Sequence, residues 1–74
     1  MERSHQSDYV RIGLNILYFR KQKGWTQERL AEEISYSKNH VQQVETAKAV
    51  PSVEILLDIA EALGIPAAKL LEER

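Results

Sequence analysis

A chain of 74 residues with three glycines, two prolines and no cysteine has room for one domain around one modest core. The missing cysteines exclude disulfides and thiolate metal sites, and a domain this small leaves enough surface exposed that pairing with a second copy is a natural supplement to its stability. The polar opening, residues 1–8, holds no apolar run. That excludes an ordinary signal peptide or membrane span there and makes the cytoplasm the expected compartment.

The net charge is −1, but its distribution is uneven. Residues 1–24 and 34–50 together sum to +4 through Arg3, Arg11, Arg20, Lys21, Lys23, Lys38 and Lys48, while Glu28, Glu32, Glu33 and the stretch 51–74 carry the acidic excess. A mildly basic face and an acidic back permit nucleic-acid binding without demanding it; an evenly mixed solvated surface accounts for the totals equally well.

Gly24, Pro51, Gly64 and Pro66 divide the chain into five helical segments. Residues 1–8 form a flexible tail, and the domain proper covers 9–74. The first helix runs from near Asp8 to Lys23 and stops at Gly24, where a left-handed residue carries no Cβ penalty. Ile12, Ile16 and Phe19 define one face of it, whereas Val10, Leu14 and Leu17, with Tyr18 beside them, cluster on the opposite face. A helix apolar on both sides calls for burial on both sides. The second face is therefore expected to be a protein contact, most simply a homodimer interface. Cover from the N-terminal residues or the last helix is the alternative, and scattered exposed apolar residues the remaining one.

Thr26 caps the second helix, with Trp25 and Leu30 placed as a hydrophobic staple and Leu30, Ala31 and Ile34 as its buried stripe. The grammar repeats at once, with Ser37 as cap, Tyr36 and Val41 as staple, and Val41 and Val44 turned inward. Lys38, Asn39, Gln42 and Gln43 are left outward. Such side chains make paired hydrogen bonds to base edges in the major groove, lysine suiting guanine and asparagine or glutamine suiting adenine. The plainer reading is that the glutamines are good helix formers on a solvated face, and that His40 is simply solvated. Trp25 and Phe19 fit core positions better than stacking on bases, and His5 in the tail has no assigned role.

Ser52 caps a fourth helix with the stripe Ile55, Leu56, Ile59, Ala60 and Leu63, which Gly64 ends. A short last helix starts near Pro66 and offers Leu70 and Leu71. No window alternates as a half-buried strand does, so the fold class is all-α.

These residues resemble a known family, the lambda-repressor-like or Cro-type (xenobiotic-response-element) helix-turn-helix domain. The resemblance covers residues 11–71. It is carried by Ile12-Gly13, Ile16 and Phe19-Arg20, by the run from Gly24 to Ala31, by Val41, Val44 and Glu45, by Pro51-Ser52, and by the run from Ile55 to Ile65. It implies a compact five-helix bundle in which the second and third helices form the helix-turn-helix, the third lying in the major groove and the second crossing the phosphate backbone. It further implies base contacts from Lys38, Asn39, Gln42 and Gln43, backbone contacts from Gln27, Ser37, His40 and Lys48, and an Arg20–Glu45 pair. Two positions depart from the family's pattern: Ser35 and Ala47 stand where relatives place glycine. Either the backbone shifts there, moving Lys48, or stability is sacrificed, since a left-handed non-glycine residue costs about 1 to 2 kcal/mol.

The expected function is a sequence-specific DNA-binding transcriptional regulator, in its plainest form a repressor, binding a two-fold symmetric operator on double-stranded DNA as a homodimer. The alternative is a protein-interaction or antitoxin-like module on the same fold. Control would come from concentration or a regulatory partner protein. No cofactor, metal or membrane is called for. An enzyme is excluded by the lack of a histidine pair at metal spacing, of a nucleophile with a base, and of a glycine-rich phosphate loop. RNA binding is disfavoured because arginines are not clustered and no aromatic sheet is present.

Overall fold

A computed structural model describes residues 4–73. Their elements are four α-helices, α1 (Gln6–Gln22), α2 (Gln27–Ile34), α3 (Lys38–Glu45) and α4 (Val53–Leu63), followed by a single 3-10 turn, Ala67–Leu70. No strand occurs among the described residues. The expected fifth helix is thus corrected to a 3-10 turn. Its carbonyls are drawn off sideways: Asn15 Nδ2 donates to Leu70 O (2.9 Å) and Glu72 O (2.8 Å), and Arg11 Nε donates to Leu71 O (3.1 Å), so the segment lies along α1 and does not wind onward. Helix α1 begins at Gln6, so residues 6–8, expected in the tail, form its first turn. Residues 1–3 of that tail lie outside the described residues. Asp8, exposed in this turn, is held below the usual carboxylate range by hydrogen bonds from Arg11 (3.0 Å) and His5 (3.2 Å).

The three expected caps are present. Thr26, Ser37 and Ser52 have extended backbones, and their hydroxyl oxygens accept from the N–H groups of Arg29, His40 and Ile55. All four helices end in one motif. A left-handed residue donates three residues back while its successor donates five residues back: Trp25 to Arg20 O, Tyr36 to Ala31 O, Lys48 to Gln43 O and Ile65 to Ala60 O. Gly24 and Gly64 fill the left-handed position in α1 and α4, but Ser35 (φ 61°) and Ala47 (φ 62°) fill it in α2 and α3. The backbone does not shift at the two departures; the strain is accepted, and the loop carrying Lys48 keeps its hydrogen bond to α3.

Ile16, Leu30, Val41, Ile55, Ile59 and Leu70 are at or below 1% exposure and bring all five elements into one core. Each such side chain contributes roughly 1.5 to 3 kcal/mol by leaving water. Phe19 and Trp25 pack against this core. Tyr36 does not follow: it stays exposed, its ring stacked on His40 at 5.2 Å. Helices α1 and α3 approach backbone to backbone at Gly13, where a Cβ would meet the carbonyl oxygens of Glu45 and Val44 at 2.5 and 2.7 Å.

Candidate nucleic-acid interface

Helix α3 buries Val41, Val44 and Glu45, which fixes what it can present. At about 100° per residue, Asn39, Gln42 and Gln43 fall opposite that buried side, with Lys38 and His40 on its two flanks. Asn39, Gln42 and Lys38 are exposed, and Gln43 and His40 half-buried. All the expected base-reading residues therefore share one surface. Thr46 belongs to the same face one turn on, a position sequence reasoning missed. Its hydroxyl donates to Gln42 O at 2.8 Å.

The base of this surface is anchored by a buried network. Arg20 is 6% and Glu45 4% exposed, and they meet bidentately, Nε to Oε2 at 2.7 Å and Nη2 to Oε1 at 3.0 Å. Arg20 Nη1 also donates to Trp25 O at 2.9 Å. A charged pair this dry persists only with its lone pairs and protons satisfied, and no buried side-chain polar atom among the described residues lacks a partner. The pair joins α1 to α3 and to the entry of α2. The Arg20–Glu45 expectation holds.

Gln27 completes the network in a way the sequence did not reveal. Its amide nitrogen, expected at a phosphate, donates to Glu45 Oε1 at 2.9 Å. That bond ties the first turn of α2 to the last turn of α3 and fixes the angle between the two helices. The amide nitrogen keeps a second hydrogen for another acceptor.

Around the α2 entrance the charge is positive. Lys23 Nζ lies 5.1 Å and Arg29 Cζ 4.6 Å from the Trp25 ring centre, each in cation–π range. The first-turn N–H groups of α2 add the positive end of a helix dipole. Ser37 serves as a cap and stays exposed beside Lys38, while Lys48 is exposed just beyond α3. Gln27, Ser37, His40 and Lys48 therefore border the α3 face.

The second face of α1 is uncovered by any described residue. Val10, Leu14 and Tyr18 are 41%, 51% and 38% exposed, with Leu17 half-buried. Leu14, Leu17 and Tyr18 line a shallow apolar groove of about 450 Å³ with Lys21 and Gln22. A further apolar strip, unforeseen, lies on α4 and the loop before it: Val53 is 72%, Leu57 54% and Val50 47% exposed. Among the described residues no group of histidines or carboxylates is arranged to hold a metal ion, and no helix is long and apolar enough to cross a membrane.

Two short helices locked at a fixed angle, the second offering a polar face above a buried hinge, define the helix-turn-helix class. The helix-turn-helix family model matches residues 16–70, and the chain belongs to that family of DNA-binding transcriptional regulators, which are not enzymes. The chain is 38% identical over 58 residues to an uncharacterized HTH-type transcriptional regulator, YazB of Bacillus subtilis (strain 168), covering 78% of this chain and 84% of that one. Its fold is similar to the restriction-modification controller protein C.AhdI from Aeromonas hydrophila, with a TM-score of 0.84 at 31% identity over 86% of this chain and 97% of the other. It is similar also to the clp gene regulator ClgR from C. glutamicum, with a TM-score of 0.81 at 30% identity over 85% and 82%.

Proposed function

We propose that this protein is a sequence-specific transcriptional regulator that binds a two-fold symmetric operator as a dimer and represses by occluding a promoter. The observation that carries the reading is the outward face of α3, where Asn39, Gln42 and Gln43 stand together above the Arg20–Glu45–Gln27 network. Amide side chains read adenine through paired bonds, and Lys38 at the first turn suits guanine. A rigid hinge matters because base-edge bonds need the helix placed to a fraction of an ångström.

In this reading Gln27 uses its second amide hydrogen on a phosphate, while Ser37, His40 and Lys48 grip the backbone on either side of α3. The α1 face of Val10, Leu14, Leu17 and Tyr18 joins two copies, so that the two α3 helices meet half-sites about one helical turn apart. The names of relatives, a controller protein and a gene regulator among them, support a regulatory role.

The exposed α1 face also favours a second reading, a protein-interaction or antitoxin-like module with weak DNA binding. Selection of bound duplexes from a random-sequence pool at low salt separates the two. Enrichment of an inverted repeat, bound with a steep salt dependence from counterion release, is expected of the regulator. A pool left unenriched by folded protein overturns it in favour of the module.

A further inference from the structure

Asn15 was not singled out by its sequence, yet it is 1% exposed and its amide nitrogen serves two carbonyls of the C-terminal segment, Leu70 and Glu72. One turn earlier, Arg11 Nε takes the carbonyl between them, that of Leu71. Burying an amide is costly unless it is bonded, and here the bonds lay the last residues along α1. Leu70 turns into the core at 0% exposure, whereas its neighbour Leu71 stays 50% exposed. On the helical wheel Arg11 and Asn15 lie directly beside Tyr18. The clip therefore sets Leu71 at the edge of the apolar α1 face.

We propose that residues 71–73 are the second half of the self-association face, and that its occupant is the same face of a second copy of this chain. The inference rests on the dimeric reading above. A stable interface takes about 800 Å² from each partner, roughly one sixth of this molecule's 4777 Å². A single strip on a 17-residue helix, about 25 Å long, is narrow for that. Adding the clipped segment widens it.

Charge decides between this face and the strip on α4. Two-fold pairing sets each surface patch against its own copy. The α4 strip of Val53 and Leu57 is bordered by Glu54, Asp58 and Glu61, for which no ion pair occurs among the described residues, so self-pairing there gathers carboxylates of one sign. On the α1 side Arg11 is neutralised by Asp8 at 3.0 Å and Glu72 by Lys69 at 3.5 Å, which leaves Lys21 at the rim.

The test is sedimentation equilibrium of the full chain without DNA over a concentration series, comparing the unmodified protein with Leu14→Glu, Leu71→Glu and Leu57→Glu. All three positions are exposed, and circular dichroism checks that each variant keeps its helices. The first two are expected to weaken the dimer constant at least about tenfold, as for a central interface contact, and Leu57→Glu to leave it unchanged. Asn15→Asp, which replaces the donor by a carboxylate, is expected to match Leu71→Glu, with Asn15→Ser, which keeps a donor, in between. Dissociation by Leu14→Glu with none by Leu71→Glu overturns the role of the C-terminal segment while leaving the α1 dimer. Dissociation by Leu57→Glu alone moves the interface to α4 and overturns the proposal. A monomer throughout overturns the dimeric reading with it, while half-site binding by the monomer still reports DNA reading separately.

Discussion

Replacing Ser35 with glycine puts a number on the strain held at the turn between α2 and α3. Ser35 sits at φ 61°, ψ 42°, where an L-residue with a Cβ costs about 1 to 2 kcal/mol. Glycine removes that cost but adds about 0.5 to 1 kcal/mol of unfolded-state entropy. Ser35 is exposed, so no packing is lost, and the net gain is roughly 0.5 to 1 kcal/mol. For a domain of this size each kcal/mol moves the melting temperature by about 4 to 8 °C, so a rise of roughly 2 to 8 °C is expected by circular dichroism. Ala47→Gly relieves the same strain at φ 62°, but Ala47 is only 3% exposed, and losing its buried methyl group costs about 0.8 kcal/mol. The two terms nearly cancel. Stabilisation by Ser35→Gly with little change for Ala47→Gly is the predicted pair; a Ser35→Gly protein that melts at or below the parent temperature refutes the reasoning.

Gly13→Ala drives a methyl group to within 2.5 Å of Glu45 O and outweighs alanine's higher helix propensity, so urea unfolding is expected to show a loss of about 1 to 3 kcal/mol. Glu45→Ala strands the Arg20 guanidinium in the interior and is expected to cost about 3 to 5 kcal/mol, most of it recovered when Arg20→Leu is combined with Glu45→Leu. Lys48→Ala is expected to weaken binding equally on all duplexes and to lower the salt slope by about one; an unchanged slope removes Lys48 from the backbone contacts.

What could be read from the sequence was what is encoded locally. Thr26, Ser37 and Ser52 cap residues within three positions of themselves, and Gly24 and Gly64 end helices they adjoin, so sequence spacing alone identifies them. The α3 surface was legible for the same reason, being the complement of Val41 and Val44. Asn15, Gly13 and Gln27 act on partners 57, 32 and 18 positions away at the farthest, and nothing in their neighbours points there. The 3-10 turn was missed because its geometry is imposed by Asn15 and Arg11 of α1. Ser35 and Ala47 stood out as departures, but only the dihedrals decided between a shifted backbone and a strained one.

The central claim is that α3 reads bases. Its most direct test is the affinity of Asn39→Ala and Gln42→Ala for the selected operator and for a scrambled duplex of equal length at one salt concentration. The account predicts a loss of about 1 to 3 kcal/mol for each on the operator and none on the scrambled duplex. Equal loss on both, or no loss on either, would contradict it.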